Sequence, residues 1–345
     1  MGLMLHIINY YYFLRSLIMK KTFACILTLV FSCSLISCGF LHKNQEKTNI
    51  NDLKQNESSE NLNSEYIIST LTSDEFEGRL VGSNGNKLTE DFINNLFNEI
   101  KLEKIFNNND YKHTYTQEVT DTYGLQDSNS KIEEKEVNNI VGKISGENSK
   151  NALIISAHFD HIGKQDGQII RGAIDNASGV AVLINLAEKL KLEYNINPPK
   201  FDIIFCAFNG EEKGLEGSSN FVKDIKNKYE NLVNINIDCV GYKNGGNIIF
   251  LGANFETKDI VQKKLYETME ESLNKNNLEI SQNDLKGVSD SISFACENIP
   301  NICLIEENIK EVINSPRDTI DVVDFERLDS IVKSIIYFID FYSKF

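Results

Sequence analysis

Residues 155–161 read Ile-Ser-Ala-His-Phe-Asp-His, and residues 172–179 read Gly-Ala-Ile-Asp-Asn-Ala-Ser-Gly. His158 and Asp160 close an apolar run, and Asp175 stands at a glycine-flanked turn that opens a helix. Imidazole nitrogen and carboxylate oxygen, delivered from neighbouring loops of an α/β core, are the donors a catalytic zinc takes. Two further acidic positions follow. Glu211 and Glu212 stand in Phe-Asn-Gly-Glu-Glu-Lys-Gly (208–214), directly after a second apolar run. A Glu-Glu pair alone is common on solvated surfaces, but strand ends line the ligand crevice of open α/β sheets. There one carboxylate can hold a metal while the other stays off it as a general base. Asp238, in Asn-Ile-Asp-Cys-Val-Gly (236–241), interrupts an apolar stretch and needs a partner, since an unpaired buried charge is very costly.

A single histidine at a strand end is more often structural than ligating. Asp160 lies two residues beyond His158, on the same side if the strand stays extended. A carboxylate there holds a ligating imidazole in one tautomer. The chain has five histidines. His6, His42 and His113 lie outside any site these motifs define, and His161 reads as pocket wall.

These groups need a scaffold. From residue 63 onward, helix-like and strand-like segments alternate, the pattern of a sheet covered on both faces. Residues 152–157 and 201–208 are continuous apolar runs, as expected of strands buried on both sides. Residues 138–144, 233–240 and 248–252 read as further strands. Helical periodicity covers 65–71, 87–100, 179–191, 217–228, 257–274 and 325–342, the third opened by an Asn176/Ser178 cap signal. The expected fold is an α/β three-layer sandwich with a mixed, mostly parallel sheet, as one domain over 63–345.

The 345 residues carry a net charge of −15, which argues against nucleic acid and against an anionic membrane surface as electrostatic partners. Met19-Lys20-Lys21 followed by an apolar stretch to Ile36 reads as a targeting signal over residues 1–37, in which residues 1–18 are either a long n-region or, the favoured reading, lie upstream of a true start at Met19. Leu35-Ile36-Ser37-Cys38-Gly39 resembles a bacterial lipobox, which implies cleavage before Cys38, acylation of its thiol and a lipid-anchored protein outside the cytoplasm; a plain signal anchor is the alternative. Residues 38–62, polar after Phe40, read as the lipidated cysteine and its tether. Of the seven cysteines, Cys206, Cys239, Cys296 and Cys303 fall in apolar strand-like runs without metal-type spacing. Buried free thiols are the expectation for most, with a Cys296–Cys303 bridge left open.

Together, His158-Phe159-Asp160, Asp175-Asn176-Ala177-Ser178-Gly179, Asn209-Gly210-Glu211-Glu212 and Asn236-Ile237-Asp238 resemble the zinc aminopeptidase family of bacterial leucyl aminopeptidase, aminopeptidase Y and glutaminyl cyclase. Glu77-Gly78-Arg79 with Gly82-Ser83, Ser289-Asp290-Ser291 and Asn314-Ser315-Pro316-Arg317-Asp318-Thr319 fall where that family has its flanking motifs, so the resemblance covers about residues 65–342. It implies two zinc ions bridged by Asp175. His158 and Asp238 would complete one position and Glu212 would serve the other. Glu211 would be the general base, drawing a proton from the attacking water and passing it to the leaving amine, and Asp160 the carboxylate behind His158. The implied activity is removal of N-terminal residues from peptide substrates.

Two positions depart from the pattern. Asn314 stands where the family has the histidine that shares a metal with Asp175 and Glu212, and Ser291 stands where it often has another histidine. An amide oxygen is a poorer zinc ligand than imidazole and suits harder cations. The second metal is therefore expected to bind weakly through Asn314 or to be another divalent ion. A catalytically silent relative acting as a surface-binding lipoprotein is the competing reading. Glutaminyl cyclase fits less well, because its zinc uses the position of the missing histidine and its pocket is shaped by tryptophans, of which this chain has none. Side-chain preference, metal identity and oligomeric state are not fixed by these motifs.

Overall fold

The computed structural model describes residues 62–123 and 132–342, apart from residues 108 and 284. The signal, lipobox and tether expectations, together with residues 1–18, lie outside the described residues. Asn61–Phe345 forms one compact unit. No described helix is long and apolar enough to cross a membrane.

The described residues open with helices α1 (Ser64–Leu71) and α2 (Asn84–Ile100). Asn63 caps the first by accepting from the Tyr66 amide at 2.8 Å, and Ser83 caps the second by accepting from Asn86 at 3.1 Å. Short β1 (Glu103–Lys104) leads to a hairpin of β2 (Lys112–Thr120) and β3 (Ile132–Ile144), then β4 (Asn148–His158) and a small ribbon, β5 (Lys164–Gln165) with β6 (Gln168–Ile169). Helix α3 (Ser178–Glu193), β7 (Phe201–Phe208), α4 (Glu216–Ile225), β8 (Asn231–Ile237) and β9 (Ile248–Phe250) follow. The chain ends with α5 (Ile260–Lys275), α6 (Ser291–Cys296), β10 (Asn301–Glu306) and α7 (Phe325–Tyr342).

The main sheet runs β1-β3-β7-β4-β8-β10-β9, with β2 paired to β3. Its centre is parallel: β7 with β4, β4 with β8, and β8 with β10. The flanking pairs are antiparallel. Alternation within the central strands feeds two cores. Ile155, Ala157, Phe205 and Ile237 pack under α1, α2, α3, α5 and α7, whereas Ile154, Ile204, Cys206 and Phe208 meet Phe221, Val222 and Ile225 of α4 and Phe294 of α6. The result is the expected three-layer α/β sandwich with a mixed, mostly parallel sheet.

The differences are local. The strand expected over 138–144 begins at Ile132, as half of the β2–β3 hairpin. The strand expected over 233–240 stops at Ile237, so Asp238 and Cys239 lie in the loop beyond it. Cys296 is helical and exposed, and Cys206, Cys239 and Cys303 are buried; all four are free thiols, so there is no Cys296–Cys303 bridge.

Candidate metal centre

Parallel β4, β7 and β8 all end at the same edge of the sheet, which brings the ends at His158, Phe208 and Ile237 side by side. His158, Asp175 and Asp238 place one ligand atom each within 4.8 Å of one another, and so do His161, Asp175 and Glu212. Asp175 belongs to both groups and offers a different oxygen to each: Oδ1 lies 3.4 Å from His158 Nε2, and Oδ2 lies 3.9 Å from His161 Nδ1.

The first group is braced on every side. His158 Nδ1 lies 3.1 Å from the carbonyl oxygen of Asp160. A carbonyl can only accept, so Nδ1 carries the proton and Nε2 is the nitrogen that faces Asp175 and, at 3.3 Å, Asp238 Oδ1. The Asp160 carboxylate, expected behind His158, lies 3.8 Å from His158 Nδ1, and it also accepts from the backbone amides of Glu211 (3.1 Å) and Glu212 (3.2 Å), fixing the turn that carries both glutamates. Because β4 ends at His158, the two-residue period of a strand no longer governs position 160. Asp238 Oδ2 accepts from Ser289 Oγ at 2.6 Å, and Ser289 Oγ in turn accepts from Asn236 Nδ2 at 2.7 Å.

The second group includes His161, read above as pocket wall. The same departure from strand geometry turns this buried ring inward, with Nδ1 3.2 Å from Glu212 Oε1. Arg79, fully buried, holds the loops on both sides of it. Its guanidinium donates to the carbonyls of Phe159, Leu71, Arg171 and Gly172, and its own carbonyl accepts from the His161 amide at 3.2 Å. Gly172, at φ 60°, leaves room for the ring: a Cβ there would lie 2.5 Å from His161 Cδ2 and 2.3 Å from the carbonyl oxygen of Asp175.

Asp175 is positioned through its backbone. Asp318 accepts from the Ile174 amide at 2.6 Å and the Asp175 amide at 3.1 Å. Asn176 accepts from the amides of Gly179 and Cys239, both at 3.1 Å, which ties the start of α3 to the loop after β8. The Asp175–Asn176 peptide is cis. Asn314, four residues before Asp318, is exposed at φ 54°, and its side chain makes no hydrogen bond among the described residues. The motif that contains it keeps its aspartate on the site while the asparagine faces solvent. Arg79, Ser289, Asp290 and Asp318 lie in the flanking motifs but had no task assigned to their side chains. Only Arg79, a charge among Gly78, Leu80, Val81 and Gly82, carried a signal in its sequence surroundings.

The charges identify what the centre lacks on its own. Carboxyl groups of Asp160, Asp175, Asp238, Asp290 and Asp318 are buried here beside the half-buried Glu211 and Glu212, against the guanidinium of Arg79. Both carboxyl oxygens of Asp290 are buried without a hydrogen-bond partner. Burial, reinforced by Glu212 and by Asp290, pushes Glu211 well above the usual carboxylate range, and burial lifts Asp290 to about 7. Glu212 moves down instead, against burial, because His161 donates to it and Tyr123 adds a second hydrogen bond. So many acidic oxygens out of water require cations, and divalent ions flanked by imidazole and carboxylate supply them. The donor set fits zinc. A cavity of about 1160 Å³ at the opposite ends of β4, β7 and β8, lined by Asn151, Phe201 and Leu232 among others, contains none of these groups.

A model of peptidase family M28 matches residues 139–339. The chain is 26% identical over 205 residues to the alkaline phosphatase isozyme conversion protein of Escherichia coli K12, covering 54% of this chain and 53% of that protein. It is 28% identical over 201 residues to aminopeptidase YwaD of Bacillus subtilis, covering 55% and 41% respectively. The matches thus span about half, or less, of the length of these curated relatives. Among solved structures, a zinc aminopeptidase from Bacillus subtilis aligns with a TM-score of 0.60 at 19% identity over 79% of this chain and 93% of that one. A glutaminyl cyclase from Porphyromonas gingivalis aligns with a TM-score of 0.61 at 17% identity over 81% and 97%. At such identities these two likenesses show the fold, which a peptidase and a cyclase share.

Proposed function

The chain belongs to peptidase family M28, and from that membership we propose that it is a metal-dependent exopeptidase of the aminopeptidase type, anchored outside the cytoplasm by a lipid on Cys38. The observation that carries the catalytic part is the His158–Asp175–Asp238 group with Glu211 beside it, at the carboxyl edge of the sheet. His158 Nε2, Asp175 and Asp238 would hold a zinc ion, which when bound polarises a scissile carbonyl and acidifies water. Glu211 has the task of moving a proton. It takes one from the attacking water and passes it to the leaving amine. Asp160 holds the Glu211 and Glu212 amides, so the base is aimed by the loop that also carries His158. The lipid anchor rests on Leu35–Gly39 and the polar stretch after it.

The test is turnover of aminoacyl-nitroanilides by the full chain with zinc, cobalt or manganese, alongside Glu211→Gln. Metal-dependent hydrolysis that drops sharply in the variant is the expected result. If no hydrolysis occurs and the substitution changes nothing, the reading gives way to a silent binding lipoprotein. Release of ammonia from a Gln-initiated peptide would instead identify a cyclase.

A further inference from the structure

We infer that His161 takes over the metal-ligating role left vacant by Asn314, so that a second divalent ion is held by His161 Nδ1, Asp175 Oδ2 and Glu212. This rests on the proposed function, because it concerns the neighbouring half of the same centre.

Four observations carry it. The first is distance. Two ligands of a tetrahedral zinc, with bonds of about 2.0–2.1 Å, sit about 3.3 Å apart. His161 Nδ1 and Glu212 Oε1 are 3.2 Å apart, and Asp175 Oδ2 lies 3.9 Å from the same nitrogen. The second is the division of Asp175, whose two oxygens face two different imidazoles. The third is rigidity. The buried ring of His161 lies against Gly172, and its backbone is tied to Arg79, the residue that also clamps the Gly172 carbonyl ahead of Asp175. A ligand locked by packing loses little freedom when an ion arrives. The fourth concerns Asn314, whose side chain is exposed and takes no part in the hydrogen bonding of this centre, while Asp318 of the same motif holds the Asp175 backbone. The ligand has moved from a late loop to the end of β4, three residues beyond His158. The same short segment thereby supplies one imidazole to each ion.

The experiment counts metal and does not depend on turnover. Full-length wild type, His161→Asn, Asn314→Ala and His158→Asn are dialysed against a chelator-buffered zinc solution, and zinc per chain is measured by mass spectrometry. Wild type and Asn314→Ala should each keep two ions, and His161→Asn and His158→Asn one each. Two ions retained by His161→Asn, or one lost in Asn314→Ala, would overturn the assignment. A wild type holding one ion that His158→Asn removes would overturn it too, yet leave the peptidase reading standing. A wild type holding none would take away both. Because a buried histidine can matter for folding, anomalous diffraction at the zinc edge on the wild type provides the second measurement. A peak at bonding distance from His161 Nδ1 is expected, and a peak bonded to Asn314 in its place would refute the assignment.

Discussion

The two halves of the centre reach similar donor sets by different physics. Around His158, hydrogen bonds do the positioning: the Asp160 carbonyl fixes Nδ1, and the Asn236–Ser289 chain fixes Asp238. Around His161, the ring's one hydrogen bond runs from Nδ1 to Glu212, a fellow candidate ligand, and packing supplies the rest. Nε2 has no hydrogen-bond partner, and the ring is set by Gly172 and the Arg79 clamp. The proton affinities of the metal-free rings diverge accordingly. Burial lowers both, but for His158 the Asp238 carboxylate, with help from Glu211 and Asp175, outweighs it and raises the ring well above 6.5. For His161 burial prevails, with Arg79 adding to it, and the ring falls below 6.5. An ion arriving at His158 at neutral pH must displace a proton from a charged ring, whereas the neutral ring of His161 has only to move its single proton from Nδ1 to the unpartnered Nε2. Equivalent ligands on a list are thus not equivalent in the cost of loading them.

Changing the residue common to both halves should have the largest effect. Asp175→Ala is expected to remove both zinc ions and reduce hydrolysis to background, measured by zinc content and nitroanilide turnover together. Glu211→Gln comes next: both ions stay, and kcat falls by about 10²–10⁴-fold, the usual share of a general base. A fall in zinc content in that variant would show Glu211 to be a ligand.

Ser289→Ala separates the halves. It removes the hydrogen bond to Asp238 Oδ2, so zinc affinity at the His158 position should weaken by about 10–100-fold while the other position is unchanged. Zinc titration followed by calorimetry checks this, and equal weakening of both would erase the distinction.

The finest test is the pH dependence of the metal-free protein. Histidine ring resonances should show His158 titrating above 6.5 and His161 below it. For His158 the sign is that of a raised base: its stabilisation is complete below pH 6.5 and is lost as pH rises through the folded value. His161 behaves oppositely. It is stabilising while neutral, above pH 6.5, and that contribution is lost as pH falls through its depressed folded value. Both rings titrating on one side of 6.5 would end the comparison.

Legibility tracked how much of each signal was local. Strands β4 and β7 stood out because both faces are buried, leaving unbroken apolar runs. The β2–β3 hairpin was hidden because the inward side of β2 carries His113 and Gln117 beside Tyr115 and Val119. Two polar residues on the buried face erase the alternation that marks such a strand. Asp238 was conspicuous as a carboxylate in an apolar run. His161 was not, because its orientation depends on a change of direction just after β4.

Residue types and order along the chain were enough to specify the layered fold, through periodicity. They also marked His158, Asp175, Asp238 and the Glu211–Glu212 pair as donors, through their chemistry in short segments. Asp175 as the shared carboxylate and Glu211 as the candidate base came from the resemblance of those segments to a family. Which imidazole stands beside Glu212, and which oxygen of Asp160 meets His158, was decided only by the folded backbone. Beyond a strand's last residue, the direction of a side chain is set by what packs against its loop: here Arg79, Gly172 and Asp318, brought in from distant parts of the chain.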